Sequence, residues 1–290
     1  MTRALAVSAC LCALACEQKG GAAQRPPQAR EDAIAILDHP LISQRYFFPR
    51  PDRFASPFHV DVAGARLACA FRKVSPDAPT LVHFHGNGEV VGDWDETLSE
   101  WFGPLGWNVL LAEYRGYGMS TGEPRLGKML DDVERIVRAS GVAPERMVFF
   151  GRSVGSLFAV HAVSRFPAAA GLVLESGIAD VRERLSLRVH PSELGVTPAQ
   201  FDAAVRERLD QRAKIGAYRG PVLILHTRDD GLVDVSHGRQ LAEAAGGPVT
   251  LRIFDRGDHN SILAVNETEY RKAVTAFLEG ILPTLGAASP

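Results

Sequence analysis

At 290 residues the chain is long enough for one large domain with a substantial buried core. Hydrophobic residues make up 46%, charged residues 23%, and the formal net charge is −2, an ordinary globular balance. Acidic and basic residues are interspersed, so the charge indicates neither a nucleic acid nor an acidic membrane surface as a partner.

Met1 to Gly20 stands apart from any fold. Arg3 gives a thin positive start, and Ala4 to Ala15 is an apolar run too short to span a bilayer as a stable helix. The run ends in Ala13-Leu14-Ala15-Cys16. Small residues ahead of a cysteine at this place resemble the lipobox of bacterial lipoproteins, whose cysteine is lipidated after cleavage. The resemblance implies a signal peptide over residues 1–16, a lipidated Cys16, export, and a lipid anchor that holds the protein to a membrane of the cell envelope. Ala13 stands where leucine is usual, and an ordinary secretory signal cleaved near Ala15 is the alternative. Glu17 to Arg30, rich in Gly, Ala, Gln and Pro, reads as a flexible tether. The folded domain is expected over residues 31–285. Cys10, Cys12 and Cys16 fall in the leader, which leaves Cys69 without a partner for an internal disulfide. Leu67 and Phe71 alternate around it, the pattern of a packed strand.

Along the rest of the chain, strand and helix signals alternate. Pro57 to Val62 and Arg66 to Arg72, separated by Ala63-Gly64-Ala65, read as a hairpin. Apolar strand runs follow at Thr80 to His85, Val109 to Glu113, Met147 to Phe150, Gly171 to Leu174, Val222 to His226 and Val249 to Phe254. Helical segments lie at Trp94 to Phe102, Lys128 to Ala139, Val154 to Arg165, His237 to Ala245 and Ser261 to Leu278. The order predicts an α/β fold: a mostly parallel central sheet of about eight strands, covered by helices on both faces. Ligands bind beyond the carboxyl ends of such strands. A short helical cap insertion is expected at about residues 176–220. In it Phe201, Val205 and Leu209 recur at helical spacing, either packing on the domain or walling a lid over an acyl chain.

Gly151-Arg152-Ser153-Val154-Gly155 directly follows one strand run and opens a helix. A serine on so sharp a turn needs residues without side chains two before and two after it, and the helix N-terminus aims N–H groups at the site. Serine needs a base within hydrogen-bond reach. In hydrolases with this turn the base follows the acid in the chain, which selects His259, in the loop after the last strand. The acid that orients it is expected at Asp230, with Asp229 and Asp234 as alternatives on the same loop; Asp258 adjoins the base and is a poor candidate. Oxyanion donors are expected from the backbone N–H groups of Val154 and of Asn87, in the loop His85-Gly86-Asn87-Gly88. His85 reads as a hydrogen-bonded loop residue, and His83, His161, His226 and His237 as structural or surface residues.

These motifs resemble those of the depalmitoylase-like subfamily of α/β-hydrolases. The likeness rests on His85-Gly86-Asn87-Gly88, Glu113-Tyr114-Arg115-Gly116-Tyr117-Gly118-Met119-Ser120, Gly151-Arg152-Ser153, Leu225-His226 with Asp230, Val235-Ser236-His237-Gly238, and Asp258-His259-Asn260. It extends over about residues 55–282, with one departure at Thr227, where a glycine is usual. The resemblance implies the α/β-hydrolase fold and hydrolysis of a small-molecule acyl ester or thioester. A peptidase or amidase of the same fold is the first alternative and a non-catalytic binding protein the second. Position 153 is serine, which sets the chain apart from relatives that use an aspartate nucleophile. No H-E-x-x-H or clustered Cys/His spacing suggests a metal, and no G-x-G-x-x-G follows a strand, so no cofactor is expected. Nothing in the sequence fixes an oligomeric state.

Overall fold

The structure, a computed structural model, describes residues 27–286. Cys16, the leader and most of the expected tether lie outside the described residues. The last four expected tether residues lie within them and are helical, since helix α1 runs Pro27–Leu37. Proline suits the first helical turn, where its missing N–H forfeits no intrahelical bond. Helix α2 (Pro40–Tyr46) starts the same way, behind a His39 side chain that accepts the Leu41 N–H.

The alternation follows: β1 (Phe58–Val62), β2 (Ala65–Arg72), β3 (Thr80–Phe84), α3 (Asp95–Phe102), β4 (Asn108–Ala112), α4 (Leu126–Ala139), β5 (Met147–Arg152), α5 (Gly155–Arg165) and β6 (Gly171–Glu175). The insertion folds as α6 (Val181–Ser186), α7 (Pro198–Leu209) and α8 (Gln211–Ala217). The chain closes with β7 (Val222–Thr227), α9 (Val235–Ala244), β8 (Val249–Phe254), α10 (Ile262–Val265) and α11 (Glu267–Gly286). A helix expected over Ser261 to Leu278 is interrupted. Asn266 donates from Nδ2 to the carbonyls of Arg256 and Ile262, and the chain turns there between α10 and α11.

One eight-stranded sheet results, in the order β1-β2-β4-β3-β5-β6-β7-β8. β1–β2 and β2–β4 are antiparallel and all later pairs parallel. Strand side chains alternate between faces, and both faces are covered, so the central strands are mostly apolar on both sides. Val82, Phe149, Leu174 and Ile224 point into the core under α4 and α5, while Leu81, Val148, Val173 and Leu223 point into the core under α3 and α11. No helix among the described residues is long and apolar enough to cross a membrane.

The insertion belongs to the first of these cores. Phe201, Val205 and Leu209 are buried there, α7 lies along α1, and α8 packs on α5 and α9. Their apolar face therefore packs on the domain and does not wall an acyl path. Phe201→Ala is expected to lower the unfolding free energy by about 3–5 kcal/mol, with the denaturant slope unchanged. A loss under about 1 kcal/mol in urea denaturation would mark the insertion as a loosely seated flap.

Candidate active site

Strand β5 ends at Arg152, helix α5 begins at Gly155, and the turn between them holds Ser153 at φ +52°. That left-handed backbone is strained for a serine, and the surroundings hold it. The Ser153 N–H donates to the Glu175 carbonyl at 2.8 Å, and the Ser153 carbonyl accepts the Ser156 N–H and hydroxyl. A Cβ on Gly155 would lie 2.0 Å from the Phe84 carbonyl oxygen, and one on Gly151 would lie 2.5 Å from the Gly155 carbonyl oxygen. Glycine at both flanks is what lets β3, β5 and α5 meet at this point.

The structure brings Ser153, His259 and Asp230 together, all buried. The Ser153 hydroxyl is 2.8 Å from His259 Nε2. On the other side of the ring, His259 Nδ1 lies 2.8 Å from Asp230 Oδ2 and 3.0 Å from Oδ1. A carboxylate facing Nδ1 places the ring proton there and leaves the Nε2 lone pair to accept from the serine hydroxyl.

Asp230 is itself fixed, its Oδ1 accepting the N–H groups of Leu232 and Val233. Burial pushes its pKa up, but hydrogen bonds from His226, His259 and the Val233 N–H outweigh burial and hold the carboxyl far below the usual carboxylate range. The alternatives are placed elsewhere: Asp229 is exposed, Asp234 caps α9, and Asp258 accepts within its own loop from Asn260 and Ser261.

His226 is more than a framework residue. Its ring is buried, its Nε2 donates to the Val233 carbonyl at 2.8 Å, and the same nitrogen is 3.4 Å from Asp230 Oδ2. Sequence reading missed this second imidazole on the acid. Its signal was the four-residue spacing from Asp230 across a strand end.

The loop His85-Gly86-Asn87-Gly88 is wired through its side chains. Asn87 Oδ1 accepts the Phe48 N–H and the Tyr117 hydroxyl, Asn87 Nδ2 donates to the Tyr46 carbonyl, and Gly88 turns the loop at φ +80°. The backbone N–H groups of Asn87 and Val154 have no protein acceptor among the described residues. Beneath the loop, both nitrogens of the buried His85 face acceptors, Glu113 Oε1 and the Gly86 carbonyl, each at 2.8 Å. Burial alone would lower the His85 pKa; the Glu113 carboxylate outweighs burial and raises it. Cys69 is buried under the sheet, and burial pushes its thiol up to about 12, which keeps it unreactive.

Comparison with known proteins gives the family and the fold. The family model described as serine aminopeptidase, S33, matches residues 75–201. Human α/β-hydrolase domain-containing protein 17B is 30% identical over 204 residues, which cover 69% of this chain and 67% of that protein. The chain belongs to the α/β-hydrolases. Mouse α/β-hydrolase domain-containing protein 17C is 28% identical to this α/β-hydrolase over 223 residues, or 75% of this chain and 65% of that one. Two solved structures share the fold. An esterase from Pyrococcus furiosus covers 80% of this chain and 98% of its own at a TM-score of 0.65 and 17% identity. Est1E from Butyrivibrio proteoclasticus, solved with ferulic acid bound, covers 78% and 99% at 0.65 and 18%.

A carboxyl whose folded pKa is depressed adds stability above its unfolded pKa, and that stability is lost as pH falls through the folded value. Asp230→Asn in this α/β-hydrolase is therefore expected to be less stable than the wild type at pH 7, with the gap narrowing below about pH 4. Thermal melts of the two proteins from pH 7 to pH 3 check this, and a gap that stays constant contradicts it.

Proposed function

We propose that this protein is a serine-dependent acyl hydrolase in which Ser153 is the nucleophile, His259 the general base and Asp230 the acid that orients it. The observation that carries the reading is the hydrogen-bonded chain Ser153 Oγ–His259–Asp230, at 2.8 Å in each link. His259 Nε2 takes the proton as Ser153 Oγ attacks the acyl carbonyl. The N–H groups of Asn87 and Val154 then receive the developing oxyanion. Collapse expels an alcohol or thiol, protonated by His259, and leaves the acyl group on Ser153. Water, deprotonated by His259, attacks the acyl-enzyme and releases the acid.

An ester or thioester with an apolar acyl group is the proposed substrate class. Two exposed apolar side chains support it at the edge of the site. Phe48 is 49% exposed beside Asn87, and Leu232 is 52% exposed two residues from Asp230. Resemblance to the depalmitoylase-like subfamily points the same way. The description of the matched family favours a peptidase as the second reading.

A fluorophosphonate probe is expected to label the wild type and not Ser153→Ala, which loses at least about 10^4-fold in kcat on esters. Rates on p-nitrophenyl esters are expected to peak between butyrate and octanoate and to exceed those on matched amides and aminoacyl peptides. Faster cleavage of the peptides would put the second reading first, and an unlabelled, folded wild type would leave only a binding protein.

We further propose that the protein is exported and held to a membrane by lipid on Cys16. The short apolar run ending in Ala15-Cys16 supports this. Mature protein is expected to carry diacylglyceryl and acyl mass on an N-terminal Cys16 and to enter the detergent phase of Triton X-114. An unmodified terminus and partition into the aqueous phase would overturn the anchor.

A further inference from the structure

Arg152 occupies the free position of the Gly151-x-Ser153 turn, and its guanidinium is buried. A cation there is costly unless it is paired. It faces three different elements: Nη1 and Nη2 donate hydrogen bonds, and Nε lies in ion-pair contact with a carboxylate. Nε lies 2.8 Å from Glu175 Oε1 at the end of β6. Nη1 donates to Glu89 Oε1 in the loop after β3 at 2.5 Å, and Nη2 donates to the main-chain carbonyl of His259 at 2.9 Å.

Each partner is one bond from the chemistry. Glu89 uses its other oxygen to accept the Gly86 N–H at 2.6 Å and the Trp94 indole N–H at 3.1 Å, which pins the loop that carries Asn87. Glu175 gives its carbonyl to the Ser153 N–H at 2.8 Å and its other carboxylate oxygen to the Tyr270 hydroxyl. The remaining partner is the catalytic base's own backbone. Gly86 leaves room for this junction, since a Cβ there would lie 2.6 Å from Arg152 Nη1.

We infer that Arg152 is a positioning residue: one guanidinium holds the oxyanion loop and the His259 loop in place against the Ser153 turn. This rests on the reading of Ser153 as nucleophile. Packing alone does not call for a charge here, because a buried ion pair is often no more stable than apolar side chains of its size. Its planar fork, in contrast, fixes directions that a lysine would not. A slip of the Asn87 or His259 loop weakens contacts to the transition state more than contacts to the ester, so the loss belongs in kcat.

The test measures p-nitrophenyl butyrate hydrolysis by the full chain and by Arg152→Gln, Glu89→Gln and the double variant. Active sites are counted by fluorophosphonate titration and folding is checked by Tm. Arg152→Gln is expected to lose about 10- to 100-fold in kcat per titrated site, with KM within about threefold of wild type. Glu89→Gln keeps only one acceptor oxygen, so Arg152 Nη1 and the Gly86 N–H can no longer both be met, while Arg152 stays paired with Glu175. It is expected to lose about 10-fold in kcat with little change in Tm, which keeps the test open if Arg152→Gln does not fold. In the double variant the loss should not exceed that of Arg152→Gln by more than about twofold, because both changes cut one junction. Folded variants with wild-type kcat per site, or losses that multiply in the double variant, overturn the inference. A wild type that does not label is a separate result, which overturns the nucleophile assignment and this inference with it.

Discussion

Ser153 is held in a left-handed turn so crowded that neither Gly151 nor Gly155 could carry a side chain, and the rest of the structure is arranged to keep it there. A serine in that region costs about 1–3 kcal/mol locally. The cost is offset because β5 lies between β3 and β6 in a sheet buried on both faces, where the chain cannot relax without breaking the ladder. The Glu175 carbonyl, at the end of the neighbouring strand, takes the Ser153 N–H. What the strain achieves is direction. The hydroxyl projects toward His259, and the Val154 N–H is left at the mouth of α5 with the positive end of the helix behind it.

Loops that meet this turn are set by charge as much as by packing. His85 with Glu113, Arg115 with Asp132, and Arg152 with Glu89 and Glu175 are ion pairs at the carboxyl ends of β3, β4 and β5, nearly all of them withdrawn from water. Such pairs recover their desolvation cost only when the hydrogen bonds around them are complete. Glu113 shows the completeness. One oxygen takes His85 and the Tyr114 N–H, and the other takes the Val91 N–H. A loop tied this way has one low-energy position, which suits an oxyanion loop better than the broader freedom of an apolar contact.

The parts of this arrangement legible in the sequence were those enforced by local geometry. Buried parallel strands are mostly apolar, so the central runs stood out, and the ends of all eight lie within about two residues of those observed. The Gly151-Arg152-Ser153-Val154-Gly155 turn was legible because its glycines answer a steric demand of the turn itself. Order along the chain then placed His259 and Asp230. Contacts between distant segments were not legible. Pro27 read as a linker residue although it opens a helix, because the partner of α1 is α7, far along the chain. Phe201, Val205 and Leu209 announced a helix face without saying what it would meet. Arg152 looked like an incidental residue in a motif, and only folding brings Glu89, Glu175 and His259 around it.

The residues around Ser153 and the exposed apolar side chains near them are joined by backbone hydrogen bonds. The Phe48 N–H donates both to Asn87 Oδ1 and to the Tyr117 hydroxyl, so the segment after α2 that carries the exposed ring is tied to Asn87 in the loop after β3. On the opposite side, Leu232 donates its N–H to Asp230 while its side chain faces solvent. Apolar surface of this kind is more informative at the edge of a polar site than scattered over a surface. An acyl chain lying against Phe48 and Leu232 would press on backbone that also fixes Asn87 and Asp230. Binding energy from a part of the substrate remote from the carbonyl would then be felt at the reacting atoms. On the proposed acyl-hydrolase reading, that coupling would make chain length a determinant of kcat as well as of KM, because a short acyl group would leave both frames without the contact that seats them.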